Sequence, residues 1–270
     1  MHLKKHPGWN RSHLSRELCK LWNWKRPDGQ IKDMACRELL RKLEFCSLIK
    51  LPPCQHPGPG RMPEITPVKV NKNPVSCKLS KLQPVRIVDA RSSVDYERTF
   101  NYLVKEYHYL SYGRPVGQNM KYLILGADNS ILGCFLFGAA AWKAADRDQW
   151  IGWCSEIREH NLGLICNNTR FLLLPWVNVF NLASHALGAV LRRLSDDWKR
   201  RYGSQIALVE TFVDTTRYIG TCYQSANWIK IGQTKGRSRQ DRYTKLKVPI
   251  KDIWVFPVDR DFKEVLLKKQ

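Results

Sequence analysis

The chain has 270 residues, 43% of them hydrophobic, which is enough to bury at least one full core and points to two domains. Its 45 Lys and Arg against 24 Asp and Glu leave a formal charge of +21, and a surplus of that size draws in polyanions, so DNA is the expected partner. No long apolar span, lipidation motif or signal peptide is present, and the polar start MHLKKHPGWNRSH predicts a cytoplasmic protein without membrane attachment.

Residues 1–62 read as a helical unit. Ser12 can cap SHLSRELCKLWNW, where Leu14, Leu18, Leu21 and Trp22 recur at helical spacing, and RPDGQ then breaks the pattern. A second helix, KDMACRELLRKLEFCSLI, sets Met34, Leu39, Leu40, Leu43 and Phe45 on an apolar face and leaves Arg37, Arg41 and Lys42 for solvent or phosphate. Thirteen Lys or Arg against five Asp or Glu make this unit net +8. Two short helices around a turn, the second basic, predict a helix-turn-helix or winged-helix half; an ordinary hairpin with solvated basic faces has the same pattern.

Residues 63–84 are expected as an extended linker. The stretch from Pro52 to Pro74 holds seven of the fourteen prolines, and little periodicity follows. The nine cysteines are odd in number and scattered, with Cys134, Cys166 and Cys222 inside apolar runs, which predicts reduced thiols. Cys36, Cys46, Cys54 and His56 lack a CxxC pair, so no metal is expected.

From residue 85 to 270 the pattern becomes α/β. VDYERTFNYLVKEYHYL predicts a helix, MKYLILGAD and ILGCFLFGAAAW two strands around the turn ADNS, and TRFLLLP a third, apolar strand. NVFNLASHALGAVLRRLSDDWKRRYG is a long helix and IALVETFVD a buried strand. IGTCYQSANW is a short helix and IKIGQT a return strand. The fold class is therefore α/β (α+β), a small helical unit followed by a mixed-sheet domain.

That order resembles the Gcn5-related N-acetyltransferase (GNAT) fold, in which a strand-to-helix junction holds an acyl-cofactor pyrophosphate and a later helix carries a tyrosine acid. The runs YHYL, AAWKAADRDQWIGW, NNTRFLLLPWVNVFNLASHALG, DDWKRRYG, ETFVDTTRYIGTCYQSANW and TKGR together resemble the DruA family. That group is found in Druantia anti-phage systems and in proteins encoded with, or fused to, transposases. The helices of residues 12–44 resemble the family's amino-terminal part. The resemblance implies action on DNA beside other defence subunits, including a helicase, or beside a transposase. A more distant likeness, to the phage DNA-modification protein Mom, implies site roles for His108, Tyr109, Arg170, Ser184, Asp214 and Tyr223.

These residues also have a chemical reading. His108 between Tyr107 and Tyr109 can act as base or proton shuttle while tyrosines stack on an unpaired base; a packed aromatic patch is the plainer alternative. Asp214, ending a buried strand, can orient an amino group or simply bond its own turn. Tyr223 is a candidate donor or general acid, and Arg170 either assists it or pairs with Glu210 or Asp214. Asn181 and Ser184 start the long helix, where they cap it or contact a cofactor phosphate. An acyl-CoA-like cofactor is implied by the GNAT likeness, but PWVNVFNLASHALG lacks the glycine-rich loop it normally needs.

Lys143 and Arg147 lie among Trp142, Trp150 and Trp153, and Arg114 follows the tyrosine cluster. Residues 230–251 hold eight basic side chains against one acid, among them Lys235, Arg237, Arg239 and Arg242. All of these are expected nucleic-acid contacts. A DNA-binding component is the leading expectation, with a nucleobase-modifying transferase second and a nuclease or strand-transfer component third.

Overall fold

A computed structural model describes residues 8–25, 31–53, 65–113, 115–236 and 249–268. The chain divides into two compact units between Pro63 and Glu64.

In the first unit, α1 (Arg11–Leu21) and α2 (Asp33–Phe45) close over Leu14, Cys19, Cys36, Leu40 and Leu51. The cap of α1 is Asn10, whose side chain accepts from the His13 amide at 2.8 Å, rather than the expected Ser12. Arg11 Nε donates to the Pro52 carbonyl at 2.7 Å, which ties the chain after α2 back to the start of α1. The apolar face expected of α2 is only part buried. Leu40 lies in the core, while Met34 is 58% and Phe45 92% exposed, because two helices share one seam and a wider stripe exceeds it.

Residues 65–78 run extended, as expected of a linker, and a 3-10 turn follows at Leu79–Lys81, but the segment is packed rather than free. Val75 bridges Val177 in parallel; its amide donates to the Trp176 carbonyl and its carbonyl accepts from the Asn178 amide, both at 2.8 Å. Leu82 enters the main core, and Val70, Val75, Cys77 and Leu79 pack against it. Prolines hold such a segment extended, and an extended chain can still turn alternate apolar side chains toward a core.

The second unit is built on seven strands: β1 (Arg86–Asp89), β2 (Asn119–Leu125), β3 (Ile131–Ala139), β4 (Ile165–Leu173), β5 (Leu208–Asp214), β6 (Ile229–Gln233) and β7 (Lys251–Pro257). Its helices are α3 (Val94–Tyr107), α4 (Ala145–Ile151), α5 (Ser155–Asn161), α6 (Leu182–Tyr202), α7 (Thr221–Gln224) and α8 (Phe262–Leu267). The strand order is β1-β2-β3-β4-β5-β7-β6, and among the described residues β4–β5 is the one parallel pair of these strands. The expected succession is present: an antiparallel pair, an apolar strand, a long helix, a buried strand, a short helix and a return strand. The strands β1 and β7 and the helices α4, α5 and α8 were not expected.

Side chains alternate across the sheet, so β2 shows which helix covers which face. Tyr122 donates to Asp197 of α6 at 2.9 Å, while the neighbouring Lys121 bonds Glu97 and Asn101 of α3 at 2.7 and 3.0 Å. α3 and α6 therefore lie on opposite faces. Between them sits the main core, with Phe100, Leu103, Phe135, Phe137, Leu187, Val190 and Trp198 all buried. Gly203, at φ 80°, stops α6 as its sequence position after KRRY suggests.

Candidate functional site

β4 and β5 pair over only three residues, from Ile165 opposite Leu208 to Asn167 opposite Glu210, and then part. The cause lies in β4. Its register with β3 jumps from Phe137–Asn168 to Leu136–Arg170, which leaves Thr169 as the extra residue of a bulge, and a bulge bends its strand. Thr211 Oγ1 donates to the Asn168 carbonyl at 3.0 Å across the point where the strands separate. Above it opens a cavity of about 700 Å³.

Five of the six expected catalytic residues, His108, Tyr109, Arg170, Asp214 and Tyr223, line that cavity. α3 ends at Tyr107, and His108 follows in extended backbone, φ −91° and ψ 130°, so the chain leaves the helix axis and carries His108 and Tyr109 to the opening. The His108 Nδ1 accepts from the Leu110 amide at 3.1 Å, so Nε2 carries the proton of the neutral ring. Burial first, and then the Arg170 charge, push this histidine down to about 4. It is a neutral donor at pH 7, not the base or shuttle near neutrality that its residue type suggests.

Tyr109 stacks on His108 with ring centroids 4.8 Å apart and planes 28° from parallel. The Arg217 guanidinium lies 5.1 Å from the Tyr109 ring centre, and Tyr218 stands 5.8 Å from it. Arg170 donates from Nε to the Ser111 carbonyl at 3.2 Å and from Nη1 to the Thr169 carbonyl at 2.7 Å. Among the described residues it has no carboxylate partner, so the expected pairing with Glu210 or Asp214 does not form. Glu210 is taken by Arg147.

Asp214 turns inward on its own loop: one carboxylate oxygen accepts from the Thr216 amide at 3.0 Å and the Thr216 hydroxyl at 2.7 Å. The Thr216 hydroxyl bond, ahead of the nearby Lys251 and Arg217 charges, holds it below the usual carboxylate range. Tyr223 donates to Asn168 Oδ1 at 3.0 Å, and burial raises its phenol above the ordinary value. Gly220 starts α7 at φ 79°, and a Cβ there would lie 2.9 Å from the Trp254 ring, so glycine is what lets α7 approach the sheet and seat Tyr223.

Ser184 does not line the cavity; its hydroxyl donates to the Asn181 carbonyl at 3.2 Å. Asn181 begins α6 in the left-handed region, φ 60°, exposed and without a capping bond from its side chain. The preceding loop has no glycine, and its Asn178 amide and Trp176 carbonyl are bonded to Val75. At the start of α6 the Leu182 amide donates to the Val179 carbonyl and the His185 amide to the Asn181 carbonyl, and Ala183 rather than Asn181 or Ser184 lines the cavity.

The expected DNA contacts divide in the same way. Arg147 is fully buried, bonding Glu210 at 2.8 Å, Asp148 at 2.7 Å and the Ala141 carbonyl at 2.8 Å, which removes it from any nucleic-acid surface. Burial raises Glu210 above the usual carboxylate range, and the Arg147 charge opposes that rise. Arg37 pairs with Asp33 at 2.6 Å and Arg41 with Glu38 at 2.5 Å, whereas Lys42, Lys143 and Lys235 are exposed. Arg114, Arg237, Arg239 and Arg242 lie outside the described residues, as do Cys54 and His56. Among the described residues, no group of three or more His, Cys, Asp or Glu is placed to hold a metal, and no helix is long and apolar enough to cross a membrane. Sequence reasoning missed Asn168, Arg217, Tyr218 and Lys251 as cavity residues; only the run VDTTRYIGTCY, with Arg217 and Tyr218 just past the strand end, hinted at two of them.

A family model described as "Druantia protein DruA" matches residues 68–252, more than half of the chain. The chain belongs to the DruA family. The matched residues begin inside the packed extended segment, take in the whole cavity lining and leave out α1 and α2. DruA membership makes this a protein of the Druantia anti-phage group, with other defence subunits as partners. No curated protein matches the chain. Among solved structures, this DruA-family chain is similar to a spermidine N-acetyltransferase from Vibrio cholerae in complex with CoA and spermine. The two are 8% identical, the match covers 66% of this chain and 96% of that one, and the TM-score is 0.43. A nourseothricin acetyltransferase is 12% identical, with 52% of this chain and 66% of that one covered and a TM-score of 0.32.

Proposed function

We propose that this DruA-family protein is a DNA-binding component of its defence or mobile-element system and that the β4–β5 cavity receives part of the DNA. One observation carries the reading. The cavity gathers groups that stack, donate hydrogen bonds and attract anions, and its proton-transfer candidates titrate away from neutrality. His108 is held down to about 4, Asp214 below the carboxylate range and Tyr223 above the phenol range. General acid–base catalysis favours groups poised near the working pH, while binding asks only for fixed donors, faces and charge. The helicase or transposase of the system would supply the chemistry.

A second reading, nucleobase modification, is favoured by the meeting of His108, Tyr109, Arg170, Asp214 and Tyr223 in one cavity. The deciding experiment incubates the purified protein with DNA in cell extract, then runs nucleoside mass spectrometry beside a binding titration over a range of salt. Steeply salt-dependent binding with unaltered nucleosides is expected. A new nucleoside that disappears in Asp214→Asn would replace the binding reading with the enzymatic one.

A further inference from the structure

We infer that the cavity takes an unpaired nucleobase of single-stranded DNA, with Tyr109 and Tyr218 forming a stacking rim; the inference rests on the DNA-binding reading and names its ligand. The rim is apolar and open where a monomeric surface normally covers such side chains. Tyr109 is 37%, Tyr218 53% and Ile219 84% exposed, and all three line the cavity mouth. Tyr109 already stacks with the His108 ring, and the Arg217 guanidinium lies 5.1 Å from its ring centre. Such interleaving of faces and cations grips successive bases without needing their sequence.

The interior suits a base rather than a hydrocarbon chain. Asn167 Oδ1 is buried in the cavity wall without a hydrogen-bond partner, and a buried acceptor left unpaired is costly. An occupant that reaches it has to offer an N–H donor, which every nucleobase carries on its edge. Three cations, Arg170, Arg217 and Lys251, surround the opening, none paired to a carboxylate by an ion pair among the described residues, so the charge complements flanking phosphates. In a duplex both faces of a base are stacked and its edge is paired, so a concave site reaches it only after extrusion. A single strand offers the base at once.

The test is fluorescence anisotropy with one labelled strand offered alone, as its duplex, as an abasic strand of equal length and charge, and as the matching RNA. Single-stranded DNA is expected to bind at least tenfold more tightly than the duplex or the abasic strand. Tyr218→Ala and Tyr109→Ala are each expected to weaken single-strand binding by about 5- to 100-fold and to weaken duplex binding by a smaller factor. Tyr218→Phe keeps the stacking face and is expected to bind as the native protein does. Because Tyr218 is exposed, its variants keep the fold, and circular dichroism verifies it. Equal binding of the abasic strand, or no effect of Tyr218→Ala while salt-sensitive DNA binding persists, overturns the base-pocket inference and leaves the DNA-binding reading standing. RNA outcompeting DNA overturns the DNA assignment, and no binding to any strand overturns both.

Discussion

At the scale of single residues, Arg147 and His108 show how burial rewrites what a side chain does. Arg147 and Glu210 are both fully buried and bonded at 2.8 Å. Removing one partner strands the other charge in the core, so Arg147→Met is expected to lower stability by about 3–5 kcal/mol, whereas the double variant with Glu210→Leu recovers much of that loss. Urea unfolding of the three proteins measures it. His108 sets a pH dependence. Its ring is held down to about 4 against an ordinary 6.5, so between those values the unfolded chain binds a proton that the folded protein refuses. Stability therefore falls as pH drops from 6.5 towards 4. His108→Gln is expected to flatten that part of the curve, and urea midpoints at about pH 7 and about pH 5 check it; parallel curves for the two proteins would put the ring in solvent.

At the scale of elements, the packed segment of residues 65–84 is the main departure from sequence expectation. Leu82 is 7% exposed in the main core. Leu82→Ala is expected to cost about 2–5 kcal/mol, the range for a truncated core leucine, and a change near zero in thermal or urea unfolding would return the segment to the status of a linker. The long elements were legible: α3, α6, β2, β3 and β5 follow apolar patterns that survive in isolation. β4 starts four residues ahead of the expected TRFLLLP, because Asn167 and Asn168 look like turn residues yet both pair with β3, and Asn167 pairs with β5 as well. β7 was hidden behind the basic run, and β1 is only four residues long.

At the scale of the molecule, a charge of +21 governs how the protein meets a polyanion. If six to ten phosphates are neutralised, affinity is expected to fall by about 10³- to 10⁵-fold between about 50 and about 200 mM salt. A shallow salt slope in an anisotropy titration would show that the basic residues face solvent instead. The sequence by itself determined this charge, the two-part organisation, the α/β class and the DruA likeness, since composition and periodicity are local properties that neighbouring residues do not alter. It also singled out His108, Tyr109, Arg170, Asp214 and Tyr223. Only the tertiary structure decided that these five share one cavity, that Ser184 and Arg147 do not belong to it, and that Arg217, Tyr218 and Lys251 do. A bulge at Thr169 parts two strands, and which side chains face the gap depends on register and burial, quantities that exist only once distant segments have packed.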